Sequence, residues 1–164
     1  MMKKDDEPLF VSFRMIDDEC IAAVPLAYIQ EGVITRGTDL KGISRIYKKK
    51  IIELKNMLKQ IELKKTQKIA LPSLFMWDFG DKILSLVDAI NSKKFEIDNL
   101  YEHLIRDLDR KRGWLEKVII FRRSLPNRKL IPHDLKWSVC RDAPKKSAEL
   151  ILNGKNPTEM TKNK

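Results

Sequence analysis

The sequence predicts a mainly α, multi-helix protein with a helix-turn-helix-like unit, one long basic helix and a short N-terminal β-hairpin. Three observations carry this prediction. Apolar residues recur at helical spacing through 42–67, 71–91 and 98–125. Pro72, Gly113 and Pro126 fall where those stretches end or restart. Only 9–29 alternates instead, with Leu9, Val11, Phe13 and Met15 set between Phe10, Ser12 and Arg14.

Residues 1–8 are polar and are expected to be a disordered tail. In 9–29, Asp17-Asp18-Glu19 supplies a turn, and 21–26 reads as a second extended run that Pro25 limits to a sheet edge. Glu31-Gly32 and Arg36-Gly37-Thr38-Asp39 are loop residues. The stretch 42–67 reads as one helix whose seam is Tyr47, Ile51, Leu54, Leu58 and Ile61. Lysines lie between the seam residues; the seam leaves open packing on the domain or pairing with a second copy as a homodimer, and both are compatible with a basic face lying along phosphates. Ser73 is a candidate N-cap for the next helix, with Leu74, Trp77, Ile83, Leu84, Val87 and Ile90 on its buried side. Gly80 in that helix is expected to let a neighbouring backbone approach closely.

The stretch 98–128 organises the rest. Leu100, Tyr101, Leu104, Ile105 and Leu108 form one stripe behind Asp98, a candidate N-cap. Trp114, Val118, Phe121 and Leu125 form a second, which Pro126 ends. The turn between them, Asp109-Arg110-Lys111-Arg112-Gly113, is charged and contains the glycine expected to take positive φ. Helix, turn with glycine, helix is the layout of a DNA-binding helix-turn-helix. The candidate contacts are Arg110, Lys111 and Arg112 at the start of the second helix, for phosphates or base edges. Lys117, Arg122, Arg123, Arg128 and Lys129 are the candidates for backbone phosphates. Trp114 and Phe121 are expected to hold the helix on the core. Leu135, Trp137 and Val139 then mark a short helix, 143–152 a last one ended by Asn153-Gly154, and 155–164 a polar tail. The expected organisation is a tail at 1–8, an N-terminal extension at 9–70, a helical domain at 71–154 and the final tail.

Net charge is +10 and the sequence pI about 9.6, a balance that favours polyanions, with nucleic acid first and an anionic membrane second. No run is long and apolar enough to cross a bilayer. The opening MMKKDDEPLF turns acidic where a signal peptide would turn apolar, so a cytoplasmic protein is expected. Cys20 and Cys140 lie outside any metal or redox spacing and are expected to be free thiols. His103 reads as a surface histidine and His133 as a loop residue. The sequence offers no glycine-rich phosphate loop and no metal-ligand spacing, so no cofactor, metal or catalytic residue is expected. Ile51-Ile52-Glu53-Leu54-Lys55, with Asp39 upstream, matches the acid-x-lysine signature of metal-dependent nucleases. That signature belongs on a strand, and its flanks here have helical period.

Several short motifs in order resemble a known domain. They are Trp77-Asp78-Phe79-Gly80 with Ile83-Leu84; Leu100, Leu104 and Asp107-Leu108; Trp114-Leu115 and Phe121-Arg122-Arg123; and Leu135-Lys136-Trp137-Ser138. Together they resemble the helix-turn-helix-like N-terminal domain that precedes a PD-(D/E)XK nuclease in a widespread bacterial and archaeal family. The likeness covers 75–141. It implies a mostly helical, DNA-binding domain in a mobile-element or defence setting. The family commonly has histidine after its Trp-Ser, where Val139 stands here, so no polar role carries over to that position. The chain ends where the nuclease would begin, so the resemblance implies no nuclease activity.

The expected function is therefore non-catalytic binding of nucleic acid, duplex DNA foremost. The alternative is a helical protein–protein interaction or dimerisation module. RNA binding ranks lower, because aromatics do not interleave with the basic residues.

Overall fold

The structure, a computed structural model, describes residues 7–17, 19–32 and 40–161. Asp18 of the expected turn, Arg36-Gly37-Thr38-Asp39 and most of 1–8 lie outside the described residues. The fold is mainly α with a small three-stranded sheet. It forms two compact units, one from Met1–Glu53 and Ser85–Asp109, the other from Leu54–Leu84 and Arg110–Lys164. Leu71, where the sequence suggests a boundary, lies inside the second unit.

In the first unit the expected hairpin is present. Strands β1 (Leu9–Ile16) and β2 (Glu19–Ala23) pair antiparallel, Ser12 opposite Ala23 and Ile16 opposite Glu19, with Asp17 at φ 53° in the turn. β2 stops at Ala23, short of the expected 21–26. Pro25, at φ −54°, instead precedes a short helix α1 (Leu26–Gln30). A third strand, β3 (Phe95–Ile97), was not expected. It runs parallel to β1, Leu9 beside Phe95 and Val11 beside Ile97, and so makes β1 the central strand. Alternation then sorts the faces: Val11, Phe13, Phe95 and Ile97 are buried, while Phe10, Ile16 and Ile21 are exposed. Asp98, expected as an N-cap, uses its backbone amide on the Val11 carbonyl at 2.9 Å, and Asn99 at φ 58° stands at the cap of α4 (Leu100–Leu108) without a side-chain bond.

Helices α2 (Leu40–Thr66) and α3 (Ser73–Ser92) each supply residues to both units. α3 is buried over a wider arc than one stripe predicts. Met76, Phe79 and Leu86 are fully buried, while Leu74, Leu84 and Val87 keep some exposure. Ser73 does not cap α3; its buried hydroxyl donates to Cys140 Sγ at 3.5 Å.

The second unit adds α5 (Arg112–Ser124), a 3-10 turn at Arg128–Leu130, α6 (Trp137–Cys140), α7 (Pro144–Leu152) and α8 (Pro157–Thr161). The last replaces part of the expected polar tail. α5 begins one residue before Gly113, so the glycine is helical and Asp109, at φ 53°, takes the left-handed position. Aspartate tolerates that region because its short carboxylate can bond locally. α5 buries Leu115, Val118, Ile119 and Phe121, and Trp77 fixes its end by donating Nε1–H to the Leu125 carbonyl at 2.8 Å. Gly80 does permit a close approach: a Cβ there would lie 2.8 Å from Arg122 Cβ and 3.0 Å from the Val118 carbonyl oxygen. No described helix is long and apolar enough to cross a membrane.

Candidate nucleic-acid interface

Charge separates between the two units. Among the described residues the second carries 19 Lys and Arg against 8 Asp and Glu, a net of +11, and the first carries 9 against 11, a net of −2. Because each unit is assembled from separated segments, this division is invisible along the chain.

The basic residues singled out on sequence all lie in the second unit, whereas α4, the first helix of the expected helix-turn-helix, belongs to the first. Four of the five arginines are held by carboxylates. Arg110 donates to Glu62 at 3.1 Å and lies over the Trp114 ring at 5.5 Å. Arg112 bonds Glu116 one helical turn on, at 2.9 Å. Arg122 fits beside Gly80, covers the Trp77 ring at 4.5 Å and donates to Asp81 at 2.9 Å. Arg128 grips Asp78 with two bonds of 2.8 and 3.0 Å. Arg122 is thereby part of the packing of α5 on α3. Trp114 meets Phe79 edge-on at 5.2 Å and Phe121 is fully buried, so both hold the core as expected.

Lys111, Lys117, Arg123 and Lys129 differ. Among the described residues no carboxylate pairs with their side chains, and all but the half-buried Lys117 are exposed. The fold adds Lys145 and Lys146 at the start of α7, which share a shallow groove with Ile120 of α5. The sequence signal for these two was only a charged pair beside Pro144. Six cations thus lie on and around α5 and α7 with their head groups available.

The homodimer seam is not available. Tyr47, Ile51 and Leu54 have no exposed surface and Leu58 is 7% exposed, so the chain itself covers four of the five seam residues. Glu53 and Lys55 of the nuclease-like match sit on helix α2, and Asp39 lies outside the described residues. His133 is exposed. Cys20 and Cys140 are free thiols. Burial, and then the negative charge of Asp107, pushes the Cys20 thiol up to about 11.

Sequence reasoning missed a polar cluster in the first unit. His103, expected at the surface, is 5% exposed. Its Nε2 accepts the Phe13 amide at 2.9 Å and its Nδ1–H donates to the Asn99 carbonyl at 3.0 Å, an arrangement that the neutral ring satisfies at both nitrogens. Phe13 and Tyr47 stack at 4.4 Å, with the His103 ring edge-on to both. The Tyr47 hydroxyl donates to Asp107, which also takes two bonds from Arg106, and Arg106 Nη2 reaches the Phe13 carbonyl at 2.6 Å. Burial opposes the Asp107 charge, but the Arg106 and Tyr47 bonds outweigh it and hold the carboxyl below its ordinary 3.8. Burial, reinforced by Asp107, pushes the Tyr47 hydroxyl up, so it stays protonated. Every polar group here has a partner within the unit, and the cluster ties β1 to α2 and α4.

No family model, curated protein or solved structure matches the chain, so the reading of this surface rests on its own geometry and charge.

Proposed function

We propose that the second unit is a non-catalytic DNA-binding module that holds duplex DNA against α5 and α7. The observation that carries this reading is the net charge of +11 on the described residues of one compact unit, in a chain whose total is +10. A field of that sign draws a polyanion, and cations without carboxylate partners can replace its condensed counterions. Lys111, Lys117, Arg123, Lys129, Lys145 and Lys146 are the contacts. Duplex is favoured over single strands because the latter are held by stacking bases on exposed aromatic rings. In the second unit no described aromatic is exposed: Trp77, Phe79, Phe121 and Trp137 are buried, and Phe75 and Trp114 are half-buried. The expected helix-turn-helix is not required, because α5 and α7 lie in one unit and α4 in the other.

The test is fluorescence anisotropy with labelled duplex DNA, single-stranded DNA and RNA of equal length, titrated with the full chain at two salt concentrations. The expected result is tighter binding to duplex DNA, weakening steeply with salt. Absence of binding to all three at low salt would contradict the reading, and so would a clear preference for either single strand.

A further inference from the structure

We propose that this surface binds the DNA backbone alone and does not read base sequence. The inference rests on the DNA-binding reading above and narrows its ligand to duplexes of any sequence. Reading bases in the major groove takes planar groups that offer paired bonds: guanidinium to guanine, or the amides of asparagine and glutamine to adenine. α5 contains neither asparagine nor glutamine. Four of the five guanidiniums on it or flanking it are taken up inside the unit. Arg110 is bonded to Glu62, Arg112 to Glu116, Arg122 to Asp81, and Arg128 meets both oxygens of Asp78.

The Asp78 carboxylate occupies the Nε/Nη2 fork of Arg128, one of the two donor pairs it could offer a guanine edge, and fixes the plane of the guanidinium. Arg122 is further fixed, stacked on Trp77 and seated beside Gly80. What remains is Arg123 and a set of lysines. An ammonium is a compact charge on a flexible stem; it neutralises phosphate well and discriminates bases poorly. Glu116, beside Lys117 in the first half of α5, also disfavours close entry of that helix between the phosphates of a groove. The acidic side chains therefore do two things at once: they fix the arginines structurally and withdraw them from recognition.

The experiment is an anisotropy titration of the full chain against a panel of duplexes of one length: A·T-rich, G·C-rich and several mixed sequences, at one salt concentration. Expected dissociation constants fall within about threefold of one another, in the range of about 10⁻⁶ to 10⁻⁴ M near physiological salt that is typical of non-specific binding. Unlabelled heparin, a polyanion without bases, is expected to displace every duplex equally well. A protein that reads bases loses roughly tenfold for each altered base pair. One duplex preferred by tenfold or more over the others would overturn this inference and leave the DNA-binding reading standing. No binding to any duplex, even at low salt, would overturn both.

Discussion

Replacing Lys111, Lys117, Arg123 and Lys129 together by alanine is expected to weaken duplex binding by about 10²–10³-fold near physiological salt and to flatten its salt dependence. Each phosphate contact contributes about 0.9 to the slope of log affinity against log salt, so losing four should lower the slope by roughly 3 to 4. None of the four side chains has a carboxylate partner among the described residues, so their truncation leaves no stranded acid behind. Folding should be unchanged, which circular dichroism would verify. Lys49 and Lys93 serve as the control: both are exposed, but they lie in the unit whose described residues carry a net charge of −2. Alanine at those two positions should leave affinity within about twofold and the slope within about one unit. Equal losses from both variants would mean that total charge, not this surface, sets binding.

Asp107→Ala is expected to destabilise the protein by about 3 kcal/mol, measured by urea denaturation followed by circular dichroism. The carboxylate is the common acceptor for Tyr47 and Arg106, and its side chain is only 6% exposed. Removing it strands a buried hydroxyl, which alone costs about 1–3 kcal/mol, and frees a guanidinium that also holds the Phe13 carbonyl. The same cluster predicts the direction of the pH dependence. Because the folded pKa of Asp107 is depressed, its stabilisation is complete above the ordinary 3.8 and is lost as pH falls through the lower folded value. Asp107→Asn, which keeps an acceptor for Tyr47 and loses the charge, should cost less at neutral pH and flatten the acid limb. A neutral-pH loss below about 0.5 kcal/mol for the alanine variant would contradict the assigned role.

The fold was legible in the sequence where its signals are local. The helix expected over 42–67 matches α2 to within two residues at each end, Pro126 marks the end of α5, and Gly80 makes its close approach. What escaped notice depends on partners far away along the chain. Three residues, Phe95-Glu96-Ile97, carry too little alternation to announce a strand; they become one because β1 offers its edge. His103 reads as polar and therefore exposed, yet the amide that its ring satisfies is 90 residues away at Phe13. The candidate site shows the same limit. The sequence located the cations of α5 but could not tell the two kinds apart, since Asp81 lies 41 residues from Arg122 and Asp78 50 from Arg128. The charge separation was hidden for a related reason: the segments of the two units alternate along the chain.

If a polyanion meets the second unit and not the first, lysine footprinting will locate it there. The full chain is acetylated briefly with and without saturating duplex DNA at low salt, and the extent of modification at each lysine is read by mass spectrometry. The expected result is protection at Lys111, Lys117, Lys129, Lys145 and Lys146, with Lys49 and Lys93 modified equally in both samples. Protection centred on Lys49 and Lys93, or spread evenly over all lysines, would contradict it.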